Sequence, residues 1–151
     1  MYEDYSRQAM PDKGYRELLG TAICVFNSNN AFIIENLLKI SDYHNWWNLI
    51  DQESGTIEEI MKSKRYRDAF QGNESLFQKW HNLVLNRNRI IHSFQVTSKE
   101  NSDDIDGQVL FTKVKGSGEQ FPITKEYLMK FIKDNSDFAI QLDDFRNTLS
   151  N

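Results

Sequence analysis

The chain contains few cysteines, prolines and glycines for its length. Its 151 residues include one cysteine, two prolines and seven glycines. The single cysteine, Cys24, excludes an internal disulfide and a zinc site made of several cysteines. Because most of its neighbours in the sequence are apolar, we expect Cys24 to be buried and unreactive. The low content of proline and glycine favours long, uninterrupted helices.

The chain also lacks long apolar runs and an excess of positive charge. No stretch of about 18 apolar residues occurs, so we expect no membrane-spanning helix and no association with a membrane. The N-terminus has neither the basic start nor the apolar segment of a signal peptide, which predicts a cytoplasmic location. The formal net charge of −4 argues against a protein that coats nucleic acid through overall positive charge, although it permits a local basic cluster.

The residues that are present are typical of one globular domain spanning residues 1–151. Hydrophobic residues make up 39% of the chain and charged residues 26%, which argues against a disordered protein. Aromatic residues make up 13%, so we expect an aromatic-rich core. Residues 1–12 are mostly polar and are expected to form a loose arm or a short turn.

Apolar residues recur at steps of three and four positions in several segments, and this spacing predicts helices. The sequence Asn-Ser-Asn-Asn at 27–30 is expected to end the first helix, with Asn29 or Asn30 capping the second. Thr56 and Glu59 have the spacing of a capping box at the start of a third helix. The predicted helices span residues 13–27, 31–40, 57–70, 74–94 and 124–149.

A different pattern occurs before the last predicted helix. In segment 108–123, β-favouring residues flank the sequence Gly-Ser-Gly, which predicts a hairpin. The polar segment 97–107 is expected to be an exposed loop. The fold class expected from these patterns is all-α, a bundle of four to five helices with a small β-hairpin inserted before the last helix.

The helix predicted at 74–94 carries an arginine within its apolar face. Arg87 follows Leu76 by eleven residues, which places the two about 20° apart around a helix. A buried, unpaired guanidinium is very costly, so Arg87 needs a carboxylate, a phosphate or a water-filled cleft. Two structural explanations stay open: the stem packs on the core while the head reaches solvent, or the head pairs with Glu35 or another helix carboxylate.

Asn88 and His92 accompany Arg87 and favour a chemical role. They are four residues apart and share one side of the helix, and His81 projects the same way as His92. Imidazole can take a proton from a ribose 2′-hydroxyl, guanidinium can grip a phosphate through two hydrogen bonds, and an amide can orient either group. This set suits chemistry on a phosphodiester and requires no metal or other cofactor. The same spacing also occurs by chance on solvated helices.

The segment Arg87-Asn88-Arg89-Ile90-Ile91-His92 resembles the signature of the HEPN superfamily (higher eukaryotes and prokaryotes nucleotide-binding domains). That signature is an arginine, four to six residues and a histidine, often with a polar residue such as asparagine directly after the arginine. Here the spacing is four residues, and the motif lies toward the end of a long predicted helix. HEPN proteins are all-helical bundles, and the hairpin at 108–123 resembles insertions between the last helices of some members.

The resemblance implies a function and a set of site residues. Many HEPN proteins are metal-independent endoribonucleases that act as toxins, antiviral factors or RNA-processing enzymes. Others are non-catalytic modules that bind a nucleotide, an RNA or a partner protein. By position, Arg87 would hold the scissile phosphate, His92 would serve as acid and base on the 2′-oxygen, and Asn88 would position the active groups. Weaker candidates for substrate binding are Arg89, Ser93 and His81.

The resemblance also implies partners. Members of the superfamily generally dimerise so that two copies of the motif face each other across one cleft, which predicts a homodimer here. RNA is the implied substrate, and a cognate antitoxin or a nucleotidyltransferase is a further possible partner.

Other groups of residues favour structural roles. Trp46 and Trp47, with Tyr43 and His44, have the composition of a base-stacking surface, but paired tryptophans more often anchor a core or an interface. The basic run at 62–67 is more often a solvated helix face than a guide for RNA. The three histidines of the chain lack a carboxylate at ligand spacing, so we expect no metal site.

Overall fold

The computed structural model of the protein describes residues 2–101 and 107–149. These residues form five α-helices and one antiparallel sheet of three strands. The helices are α1 (Lys13–Ile40), α2 (Trp46–Ile50), α3 (Ser54–Lys62), α4 (Ser75–Ile91) and α5 (Lys125–Thr148). The strands are β1 (Phe94–Thr97), β2 (Gln108–Lys113) and β3 (Gln120–Ile123), and short 3-10 helices occupy Tyr2–Tyr5, Arg67–Phe70 and Lys99–Asn101.

Helix α1 is one continuous helix of 28 residues, so the predicted break at 27–30 is wrong. Asn29 is buried in its middle, and its side-chain amide donates hydrogen bonds to the backbone oxygen and the Oδ1 atom of Asn135 in α5 at 2.9 and 3.0 Å. Asparagine favours caps and turns because its side chain competes for local backbone groups. Here the side chain bonds to another helix, so the local preference for a turn is overridden.

This contact leads to a prediction about stability. Asn29→Ala is expected to lower the free energy of unfolding by about 1–3 kcal/mol, because the substitution leaves acceptors of Asn135 buried without their donor. Chemical denaturation measures the change. Asn27→Ala, on the exposed side of the same helix, is the matched control and should shift stability by less than about 0.5 kcal/mol. Equal effects of the two substitutions would contradict a role for Asn29 in joining α1 to α5.

Helix α3 begins three residues earlier and ends eight residues earlier than the predicted helix at 57–70. Its N-cap is Glu53, so Thr56 and Glu59 do not form the predicted capping box. Tertiary contacts fix the start of α3: the Trp80 indole N–H donates to the Ser54 carbonyl at 3.3 Å. Gly72 has a φ of +84°, in the left-handed region that glycine adopts without strain, and follows the 3-10 helix at Arg67–Phe70.

Helix α4 confirms the long helix predicted at 74–94 but ends at Ile91, because the chain then enters β1. Strand β1 pairs with β2, and β2 pairs with β3, which confirms the predicted hairpin and adds a strand that the sequence did not predict. The all-α class is therefore only partly right: the protein is mostly helical with a small sheet. The predicted loop at 97–107 contains the end of β1, and residues 102–106 lie outside the described residues.

The sheet is tied to the helices by a buried tyrosine. The Tyr15 hydroxyl, in α1, donates to the Ile123 carbonyl of β3 at 2.6 Å and accepts from the Leu110 amide of β2 at 3.4 Å. Because α4 leads directly into β1, these bonds also fix the sheet beside the C-terminal end of α4. Helix α5 begins directly after Thr124, which confirms the predicted start of the last helix, and the Thr124 side chain accepts a hydrogen bond from the Tyr127 amide.

The core is aromatic, as the composition predicted. Trp80 is fully buried in α4, and its ring stacks on Phe26 of α1 and Phe138 of α5 with centroid distances of 4.9 and 5.5 Å. The prediction for Cys24 is wrong: the thiol is exposed, because residue 24 lies on the face of α1 opposite the buried Ala22 and Phe26. None of the helices that the structure describes is both long and apolar enough to cross a membrane.

Candidate functional site

A cleft of about 490 Å³ opens beside the C-terminal half of α4. Arg87, Asn88 and His92 all line it, so the structure brings the three predicted catalytic residues to one concave surface. The opposite wall is the start of α3, with Glu53, Ser54 and Gly55, and the remaining lining residues are Gln52, Val84 and Ile91.

The wall formed by α3 is held in place by buried hydrogen bonds. Ser54 is only 7% exposed, its hydroxyl donates to Oδ1 of Asn30 at 3.1 Å, and its carbonyl accepts from Trp80. The Glu53 side chain makes no capping hydrogen bond, so it does not occupy the amides of the first turn. The free amides at a helix start carry a partial positive charge, and at this helix they lie beside the cleft.

Arg87 provides the cation of the cleft. Its guanidinium lies over the ring of Phe26 at 4.9 Å from the centroid, and its Nε atom is buried without a hydrogen-bond partner. Burial lowers the pKa of Arg87 from its usual value, and the nearby negative charge of Glu53 partly offsets this. The predicted alternative of a pair with Glu35 is wrong, because Glu35 lies 3.7 Å from Arg146. Arg87 also lines the cleft, and a guanidinium that lines a cleft is suited to bind an oxyanion there.

Asn88 and His92 lie one helical turn apart on the same side of α4. His92 is the C-cap residue of α4, and its backbone N–H donates a hydrogen bond to the Asn88 carbonyl at 2.9 Å. The His92 side chain is exposed and the Asn88 side chain is half-buried. The imidazole is therefore accessible to a substrate, and it projects from the C-cap position directly after Ile91, the last residue of α4.

Two of the weaker candidates for substrate binding, His81 and Ser93, do not line the cleft. His81 lies about three turns before His92 and bonds through Nδ1 to both carboxylate oxygens of Glu58, at 3.0 and 3.2 Å. Burial opposes ionisation of Glu58, but hydrogen bonds from Lys62 and His81 outweigh it and lower the pKa of Glu58. The Ser93 hydroxyl donates to the Ile90 carbonyl at 2.6 Å, so it caps the helix end instead of facing a substrate.

Arg89 lies in a second depression on the other side of Asn88 and His92. This depression measures about 550 Å³, and two lysines that the sequence analysis did not identify, Lys113 and Lys115, line it with Arg89. The sequence contained one indication of this basic surface: two lysines alternate with Val114 directly before the predicted glycine turn. Glu53 was also missed, because nothing in its local sequence connects it to Arg87.

The two tryptophans of the aromatic segment 43–47 begin α2 and differ in their burial. Trp46 packs against the core, but Trp47 is 76% exposed. The Arg65 guanidinium lies 3.7 Å above the ring of Tyr43, and His44 Nδ1 lies 2.6 Å from the Tyr66 hydroxyl. Within residues 2–101 and 107–149, no group of three or more His, Cys, Asp or Glu side chains is arranged to hold a metal ion.

Comparison with known proteins identified no relative of this chain. No protein-family model matches the chain, and neither a curated protein nor a solved structure is significantly similar to it. The geometry of the cleft and the resemblance of its motif to the HEPN signature are therefore the two indications of function.

Proposed function

We propose that the protein is a metal-independent endoribonuclease of the HEPN type. The observation that supports this most directly is the open cleft in which Arg87, Asn88 and His92 face the first turn of α3. Here the cation, the amide and the imidazole share a concave surface with the positive end of a helix dipole.

The proposed reaction is transesterification at a phosphodiester of RNA. Arg87 and the first-turn amides of α3 hold the non-bridging oxygens and stabilise the charge that develops on them. His92 takes the proton of the ribose 2′-hydroxyl, and the 2′-oxygen attacks phosphorus. The bond from phosphorus to the 5′-oxygen breaks, leaving a 2′,3′-cyclic phosphate. The departing 5′-oxygen receives a proton from a water molecule, and the hydroxide that this leaves takes up the proton held by His92. Asn88 orients the phosphate or the imidazole.

A homodimer is part of the proposal. Two large apolar side chains at the C-terminal end of α4 and just after it are exposed: Ile91 at 50% and Phe94 at 38%. Exposed apolar side chains next to a site are typical of protein interfaces. A second copy packed on this surface would bring two clefts together, as the HEPN resemblance implies. A toxin or antiviral setting, with a cognate antitoxin or a nucleotidyltransferase as partner, follows from the resemblance alone.

The alternative is a non-catalytic HEPN module that binds a nucleotide, an RNA or a partner protein. Glu53 favours the partner-protein form of this alternative, because its carboxylate already gives Arg87 a counter-charge and opposes a phosphate in the cleft. Incubation of the purified protein with single-stranded RNA in EDTA decides between the two. Products that end in a 2′,3′-cyclic phosphate are expected of the nuclease, whereas RNA binding without cleavage would support the module.

The charge of Glu53 can be tested separately. Glu53→Gln is expected to bind single-stranded RNA about threefold to tenfold more tightly, because it removes a negative charge beside the phosphate position. Fluorescence anisotropy with a non-cleavable 2′-O-methyl RNA measures the change. Glu59→Gln removes the same charge from an exposed position of α3 outside the cleft, and it should leave the affinity unchanged. Weaker binding of the Glu53 variant would mean that this carboxylate contacts the ligand favourably.

A further inference from the structure

The second depression lies directly beside the cleft, and the two share a boundary. Asn88 and His92 line both of them. A polymer that placed one phosphate beside Arg87 and passed across His92 would therefore enter the second depression. The proposed reaction uses Arg87 and the first turn of α3, which line the first cleft. It assigns no role to the basic side chains of the second depression.

The charges of the second depression are of one sign. Arg89, Lys113 and Lys115 line it, and all three side chains are exposed. No carboxylate is among its lining residues. Neither lysine forms an ion pair within the part of the chain that the structure describes. The protein as a whole carries a net charge of −4, so three unopposed cations in one depression are a local departure from its overall balance.

Apolar side chains lie between these cations. Leu85 and Val114 also line the depression, and Leu85 is 45% exposed. A surface with cations around exposed apolar groups matches single-stranded RNA, whose backbone is anionic and whose unpaired bases have apolar faces. A duplex presents phosphates but keeps its base faces stacked, so it would leave Leu85 and Val114 without a contact.

The two lysines are placed by the β-hairpin. Lys113 pairs with Gln120 across the β2–β3 register, and the Val114 amide donates to the Glu119 carbonyl at 2.8 Å. Gly116 closes the turn with a φ of +85°, a conformation that other residues rarely adopt. The β2–β3 hairpin thus holds Lys113 and Lys115 beside α4, and its role here is to position these two lysines.

We propose that Arg89, Lys113 and Lys115 form a second phosphate-binding subsite, which holds the backbone of single-stranded RNA next to the phosphate bound by Arg87. The inference rests on the proposed function for the role of His92, but the binding of RNA by this subsite does not require cleavage. The lysines do not touch the reacting atoms. Their removal should therefore weaken substrate binding and leave the chemical step unchanged.

The test uses the double variant Lys113→Gln/Lys115→Gln in the 151-residue chain. Its affinity for single-stranded 2′-O-methyl RNA is expected to fall about tenfold near physiological salt. The slope of log affinity against log salt concentration should decrease by about 1.4, the value for two lost contacts with a single strand. For a cleavable RNA, KM should rise by a similar factor while kcat stays the same.

The matched control is Lys13→Gln/Lys133→Gln, which removes the same charge from two exposed lysines outside the depression. Equal losses of affinity in the two double variants, or an unchanged salt slope, would overturn the subsite. Equal affinity of the wild type for single-stranded and duplex RNA would overturn the assignment to single strands. If the wild type binds RNA without cleaving it and only the Lys113/Lys115 variant loses affinity, the subsite stands and the proposed nuclease fails. A wild-type protein that binds no RNA overturns both.

Discussion

His92→Ala is expected to reduce RNA cleavage by roughly 10²- to 10⁴-fold in kcat/KM, because the substitution removes the group that takes the 2′-proton. The His92 side chain is exposed at the end of α4, so its removal should leave the melting temperature nearly unchanged. The measurement is the rate of cleavage of a single-stranded RNA in EDTA, with circular dichroism of each variant to verify folding.

Arg87→Ala and Arg87→Lys extend the same test to the phosphate. Arg87→Ala should also abolish cleavage, but it removes packing on Phe26 and is expected to lower stability slightly. Arg87→Lys keeps the charge and loses the planar pair of donors, so an intermediate rate is expected if the guanidinium binds the phosphate through two hydrogen bonds.

His81→Ala is the control for loss of a histidine on the same helix, because His81 bonds to Glu58 outside the cleft. It should retain cleavage. If the His92 and Arg87 variants cleave RNA as fast as the wild type, the activity belongs to another site or to a contaminant, and the motif would have no catalytic role.

Trp80→Ala is expected to lower the free energy of unfolding by about 3–5 kcal/mol and the melting temperature by roughly 10 °C. Trp80 is fully buried, and its ring joins α1 and α5 through Phe26 and Phe138. The substitution leaves a large cavity and also deletes the donor to the Ser54 carbonyl that holds the wall of the cleft. Thermal and chemical denaturation measure the loss.

Two further tryptophan variants make this prediction specific. Trp80→Phe keeps an aromatic ring and loses the indole donor, so it should cost about 1–2 kcal/mol and remain folded enough to assay. Trp47→Ala removes a ring that is 76% exposed, and a change of less than about 0.5 kcal/mol is expected. Similar losses for Trp47→Ala and Trp80→Ala would contradict the burial that the structure assigns to them.

The predictable parts of the fold were those with a strong pattern of their own. Helix α4 repeats apolar residues through Trp80 and Leu83, and its neighbour α5 starts directly after Thr124, where the sequence predicted the start of the last helix. The β2–β3 hairpin carried its turn glycines in the sequence. The failures occurred where a distant residue decided the local structure. The local sequence around Asn29 predicts a helix cap, but its hydrogen bond to Asn135 keeps it inside a continuous helix. Strand β1 is too short to be recognised without its partner β2.

The candidate site divides in the same way. The sequence by itself determined that Arg87, Asn88 and His92 lie close together, because their separations along one helix fix their relative positions. Only the tertiary structure decided that α3 faces them, that His81 bonds to Glu58 outside the cleft, and that Lys113 and Lys115 lie beyond His92. The physical reason is that periodicity reports which face of a segment is buried, whereas the identity of the facing segment depends on how distant faces pack together. The resulting cleft, with Glu53 near its arginine and a basic depression at its edge, is a property of that packing.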